Sequence, residues 1–161
     1  MPKRPISQRN LLIGDVLEIK TSRGYAYVQC ANKLPFFGNL IRVLPGFYHR
    51  SITDLEEIVS KKESYFTFFY WDKYVDRDIV YKVGRLQIPK DCVIPTLFRG
   101  GSKDPKNQNI ATWWLWDSVT NKEWKVGKIS KKQRELPIRH ILNYIALIYD
   151  LERGWHPRDE H

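Results

Sequence analysis

The stretch Ala111-Thr112-Trp113-Trp114-Leu115-Trp116-Asp117 holds three tryptophans in four positions, half of the six in the chain. In a strand, successive side chains point to opposite faces. Trp114 and Trp116 then share one face, and Trp113 and Leu115 the other. Both faces are apolar, so such a strand is covered on both sides or keeps one face for a partner. Tyr65 to Tyr70 repeats the theme, with Tyr65, Thr67 and Phe69 facing one way and Phe66, Phe68 and Tyr70 the other. The spacing predicts Trp113 or Trp114 as core, and the Trp116–Asp117 end as the more exposed. It also predicts Trp124 as a cross-strand partner of Trp116.

The rest of the chain is mostly strands joined by turns. Val16 to Lys20 and Tyr25 to Cys30 form a hairpin around Thr21-Ser22-Arg23-Gly24. Asn39 to Tyr48 contains a strand stopped by Pro45-Gly46. Thr53 followed by Glu56 fits a capping box, opening a short helix over about 53–60 with Leu55, Ile58 and Val59 on its apolar side. Asp78 to Pro89 returns to strand, with a bulge at Gly84. Residues 99–109 read as the longest polar loop, and 110–129 as a hairpin turning near Val119–Asn121.

A final helix is expected over about 137–152. Pro137 suits its first turn, and Gly154 its stop. Ile138, Ile141, Leu142, Ile145, Ile148 and Tyr149 make an apolar stripe that should pack on the sheet. The fold class is α+β and mostly β: a strongly curved antiparallel sheet or small, partly open barrel, with the two helices packed on it. Residues 1–10, with Pro2 and Pro5, read as a flexible basic arm, and 11–161 as a single domain, which suits 161 residues.

The formal net charge of +9 favours acidic partners: nucleic acid, an anionic membrane or an acidic protein surface. Cys30 and Cys92 are too few for a disulfide scaffold or a cysteine zinc site, and read as buried free thiols. No apolar run approaches the roughly 20 residues of a membrane span. The basic start is not followed by the apolar region of a secretory signal. The expectation is a soluble, cytoplasmic protein without a membrane partner.

Chemistry-bearing motifs are sparse. His49, His140, His156 and His161 match no metal-ligand spacing, so neither metal nor cofactor is expected. Asp72, Asp76 and Asp78 are interleaved with Lys73 and Arg77, which would neutralise a cation site; a solvated loop explains them. Glu56 and Glu57 suit the first turn of a helix. Arg99-Gly100-Gly101 is no phosphate loop, and no nucleophile elbow occurs. Binding remains. Lys122, Lys125, Lys128, Lys131, Lys132 and Arg134 surround Trp124, and Lys3, Arg4 and Arg9 form a second basic cluster. Charge beside exposed rings is how single-stranded nucleic acid is held, although lysines alternating along a strand are also its ordinary wet face.

The order of motifs resembles the immunity protein 26 family of bacterial polymorphic-toxin systems. The resemblance is carried by GDVLEI (14–19), GYAYVQ (24–29), DLEEI (54–58), YFTFFY (65–70), VGRLQIP (83–89), PTLFR (95–99) and WWLWD (113–117), in sequence over residues 11–120. It implies a mostly β fold with a tryptophan-bearing strand and no catalytic activity. Such proteins neutralise a toxin by binding it. The positive charge departs from what blocking a basic nuclease cleft would require, so the toxin class stays open.

The first expectation is therefore a non-enzymatic protein that docks on a cognate toxin and occludes its active site. Aromatic anchors within a polar rim suit that task. Tyr25, Tyr27, Trp71, Trp116 and Trp155 are the anchor candidates, with Arg99, Lys122 and Lys125 as charged rim. A nucleic-acid-binding module on the basic, aromatic β surface is the alternative. A hydrolase built on the scattered aspartates and histidines is a second one.

Overall fold

The opening hairpin forms where the alternation places it. Strands β1 (Asp15–Thr21) and β2 (Gly24–Leu34) pair antiparallel, closing at Thr21 opposite Gly24. The computed structural model describes residues 10–35, 37–72 and 74–161. The basic arm expected over 1–10 lies, apart from Asn10, outside the described residues, as does Lys73. Further along come β3 (Gly38–Val43), α1 (Leu55–Ser60), β4 (Tyr65–Phe69), β5 (Val80–Arg85), β6 (Leu97–Lys103), β7 (Ile110–Asp117), β8 (Lys122–Gly127), β9 (Ile141–Leu142) and α2 (Tyr144–Glu152).

These strands make a mostly β fold of two sheets, ordered β5-β1-β2-β3-β4-β9 and β6-β7-β8, neither closed into a barrel. The register of β1 against β5 shifts at Val83–Gly84, the bulge the sequence marks. One face of the large sheet carries Leu17, Ile19, Val28, Ile41 and Phe69 and is covered by Leu147 and Leu151 of α2. Its other face receives α1 through Ile58 and Val59 at one end. At the other end Leu40, Phe66 and Phe68 meet Phe98 and Trp116 of the small sheet. Every residue of β4 is buried because α2 lies on one side and the small sheet on the other.

Three expectations need correction. Residues 99–103 belong to β6 and pair with β7, so the polar loop is only 104–109. Glycine here serves a strand: a Cβ on Gly101 would stand 2.5 Å from the Ile110 side chain. The short helix is capped by Asp54, which accepts the Glu57 N–H, rather than by Thr53.

The last helix starts at Tyr144, capped by Asn143, because residues 137–142 form a strap, bent at Arg139, that pairs with both sheets. The Arg99 N–H donates to Pro137 O at 3.0 Å and the Arg139 N–H to Arg99 O at 2.7 Å. The Tyr70 N–H donates to Leu142 O at 2.8 Å, beside the parallel pairing of β9 with β4. Edge strands β4 and β6 would otherwise leave backbone groups unpaired, and satisfying them outweighs the helical spacing of the isoleucines. Of the predicted stripe, Ile145 and Tyr149 are exposed; Leu147 and Leu151 do the packing.

Arg99 lies beneath the strap, fully buried. Its Nε donates to Leu136 O at 3.3 Å, and its Nη2 to Arg134 O at 3.1 Å and to Pro157 O. The guanidinium sits over the Trp113 ring, 4.2 Å from its centre. Burial pulls it down from the ordinary arginine range to about 10, opposed by Glu160. Replacing Arg99 with alanine removes a donor from three carbonyls, of which Pro157 O keeps the Glu160 N–H, and empties a buried site over the Trp113 ring, at about 1–3 kcal/mol for each buried group left unpaired. Arg99→Ala is expected to lose about 3 kcal/mol or more in urea denaturation. Arg99→Lys should recover little, since an ammonium cannot reproduce the planar fork and the stacking. A lysine variant as stable as wild type would contradict this role.

Candidate functional site

Trp113 and Leu115 face the strap and are buried, with Arg99 over the Trp113 ring. Trp116 faces the large sheet. Its ring lies 5.4 Å from Phe37 and 5.5 Å from Phe98, beneath the Arg139 guanidinium at 4.2 Å. Its indole N–H donates to Asn121 Oδ1 at 3.0 Å. Trp116 is thus only 7% exposed, and the Trp116 end is not the open one. The open ring is Trp114, 36% exposed, on the same face but farther along the strand. Its cross-strand neighbour on β6 is Gly100, which adds no side chain to cover it.

The four-residue turn of β7–β8 sets Asp117 opposite Lys122 and therefore Trp116 opposite Glu123. Trp124 falls opposite Leu115, not Trp116, so the expected tryptophan pair does not form. One residue of register puts the two rings on opposite faces. Trp124 is 42% exposed. Asp117 fastens the turn by accepting the Val119 and Thr120 N–H groups, which hold its carboxyl below the usual range. A bulge at Val126, followed by Gly127 at φ +71°, ends the regular part of β8.

The resulting surface is aromatic and basic. Lys122 and Trp124 project from one face of the small sheet, Lys125 and Trp114 from the other. Lys128, Lys131, Lys132 and Arg134 continue the positive run, all exposed. Glu123 is paired with Arg139. Beside the turn, Leu34, Pro35, Phe37 and Arg139 line a groove of about 440 Å³ with Trp116 at its wall.

The other anchor candidates lie elsewhere. Tyr25 is half-buried and bridges to Tyr48. Tyr27 is buried; its hydroxyl donates to Glu18 at 2.5 Å and accepts the Ile52 N–H at 2.7 Å. Trp71 is buried beneath Arg77, 3.8 Å from its ring centre. Trp155 is buried against Tyr65 at 5.5 Å. Five of the expected surface residues, Tyr27, Trp71, Arg99, Trp116 and Trp155, are therefore parts of the interior, where sheet packing or the strap covers them. Of the eight, Lys122 and Lys125 share the exposed hairpin surface. The residue missed is Trp114; Trp124 is expected among the lysines, but as a partner of Trp116 rather than as an anchor. The signals that could have corrected both are the turn length, which sets the register of Trp124, and the glycine opposite Trp114.

Other ionisable groups are tied into the fold. Asp72 accepts the Tyr74 N–H and Asp76 the Asp78 N–H, as loop turns require. Buried Glu18 accepts hydroxyls from Tyr27, Ser51 and Tyr81. Asp150, at the wall of a second cavity that His156 also lines, is paired with Arg153 at 2.7 Å. His156 caps the 3-10 turn Pro157–Asp159. Burial raises the Cys30 thiol to about 12, and both cysteines are free. No group of three metal-ligating side chains occurs among the described residues, and no helix there is long and apolar enough to cross a membrane. Comparison with protein-family models, curated proteins and solved structures gives no match.

Two measurements test this placement. Trp114 and Trp124 are expected to dominate fluorescence quenching by acrylamide, so Trp114→Phe with Trp124→Phe should remove most of it; unchanged quenching would contradict the exposure. The second concerns His140 in the strap. Burial lowers its pKa below the ordinary 6.5; the Asp150 and Glu160 charges oppose this, while Lys103 and Arg99 add to it. The unfolded chain takes up the proton first, so this contribution is complete above about 6.5 and lost as pH falls towards the folded-state value. Stability should decline between about pH 7 and pH 5. His140→Gln should flatten that slope without abolishing it, since burial lowers His156 as well.

Proposed function

We propose that this protein is a non-enzymatic binding protein of the immunity type, which neutralises a cognate toxin by docking on it and covering its active site. The observation that carries the reading is the β7–β8 hairpin. Trp114 and Trp124 stand exposed among Lys122, Lys125 and Lys128, held on a buried base of Trp113, Leu115 and Trp116. Rigid aromatic anchors inside a charged rim are the usual composition of a protein-binding hot spot. The succession of sequence motifs from GDVLEI to WWLWD supports the same conclusion.

The run from Lys122 to Arg134 beside Trp124 favours a second reading, in which the surface holds single-stranded nucleic acid. That association must weaken steeply as salt rises, because phosphate neutralisation releases counterions. Absence of binding at low salt removes it.

Co-expression with the product of an adjacent toxin gene tests the main reading. The expected result is a co-purifying complex and restored growth of the toxin-producing host. Neither a complex nor rescue would overturn it. In the complex, Trp124→Ala should weaken binding by about 1–2 kcal/mol or more. The free protein should change by no more than about 0.5 kcal/mol in stability, as is usual for an exposed position.

A further inference from the structure

We infer that β8 receives an extended, acidic segment of a protein partner as a fourth strand of the small sheet. This inference rests on the binding reading above and names the partner's chemistry. In the order β6-β7-β8, the outer side of β6 is held by the strap, whereas the outer side of β8 has no backbone partner among the described residues. Lys122 to Lys125 is regular strand before the bulge, enough for an incoming chain to pair with. Strand addition draws affinity from main-chain hydrogen bonds and specificity from alternate side chains.

The side chains on β8 suit such a chain on both of its faces. An added strand points its residues alternately above and below the sheet. On one side they meet Lys122 and Trp124; on the other they meet Glu123 and Lys125, with the Trp114 ring one strand further in on β7. Each face of β8 thus offers one ammonium to the incoming strand, and one of them an exposed ring as well. Glu123, the acidic residue among them, is already paired with Arg139. Carboxylates placed on both faces of the incoming strand are therefore complemented.

The same geometry weighs against two other occupants. A second copy of this chain would bring a like net charge of +9 and its own lysines to the same edge, and charged edge strands commonly keep sheet edges apart. A single nucleic-acid strand stacks on rings that share one surface, but Trp114 and Trp124 point to opposite sides of the sheet.

The test uses the full chain, ¹⁵N-labelled, with two probes at low salt. One is a short peptide alternating threonine and glutamate; the other is an oligothymidylate of equal formal charge. The peptide is expected to shift the Trp114 and Trp124 indoles and to slow amide hydrogen exchange across Lys122–Gly127. Lys122→Glu with Lys125→Glu should weaken the peptide about tenfold or more, since like charges then face each other. Lys20→Glu with Lys33→Glu, on the large sheet, should not.

The inference is overturned if the peptide protects no β8 amide, if the control reversal weakens it equally, or if oligothymidylate binds more tightly and shifts the same indoles. A toxin complex that survives the Lys122/Lys125 reversal unchanged would also overturn it while leaving the immunity reading intact. No complex with the wild-type chain would overturn that reading, while the peptide result would still decide the role of β8.

Discussion

The arrangement depends on a six-residue strap, 137–142, bent at Arg139, that pairs with two sheet edges at once. On one side it exchanges hydrogen bonds with Arg99 of β6; on the other, Leu142 accepts from Tyr70, just past β4. Both contacts are parallel, so the strap runs between the sheets as a shared strand. Without it, each sheet would present an unpaired edge next to its own core, and backbone groups left dry and unpaired are expensive. Arg99 adds a side-chain tie, drawing the carbonyls of Arg134, Leu136 and Pro157 onto the Trp113 ring. No carboxylate among the described residues pairs with it at close range; three carbonyl dipoles and an aromatic face stabilise it instead.

The strap leaves the apolar faces with separate tasks. The large sheet uses one face for α2 and divides the other between α1 and the small sheet. Asp15 and Arg42 are also held by several partners inside this frame. Asp15 sits between Lys82 at 2.9 Å and Arg85 at 2.8 Å. Burial alone would raise its carboxyl; the Leu12 N–H and the two cations outweigh that and hold it below the usual range. Arg42, buried in the same sheet, bonds to Glu63, Gln29 and two backbone carbonyls. With one side of the small sheet fastened, the β7–β8 hairpin projects from a fixed base and its outer strand remains open.

Local patterns made much of this legible. The β1–β2 hairpin, the aromatic strand β4, the bulge at Gly84 and the β7–β8 turn follow from period-two alternation and turn chemistry. The strap was not legible, because isoleucines at 138, 141 and 145 fit a helix as well as an extended segment and only the waiting edges decide. β6 was hidden by Gly100 and Gly101, of which Gly101 lets Ile110 approach. The candidate surface was half legible. Lysines on β8 read as exposed, but which tryptophans are buried depends on register and on which element covers each face. Tyr27, Trp71 and Trp155 look like anchors in the sequence and become core once the helices and strap are in place.

The proposed docking role rests on that fixed hairpin: exposed rings and ammonium groups on an edge strand can act as a docking site only if the base beneath them does not move. Native-state hydrogen exchange at the Tyr70, Arg99 and Arg139 amides tests this most directly, since all three lie in the bonds between strap and sheets. If the strap unites the two sheets, these amides exchange only through global unfolding, with the same free energy as the β1–β2 core. Exchange through a cheaper opening, which releases the small sheet while the large one stays protected, would contradict the account.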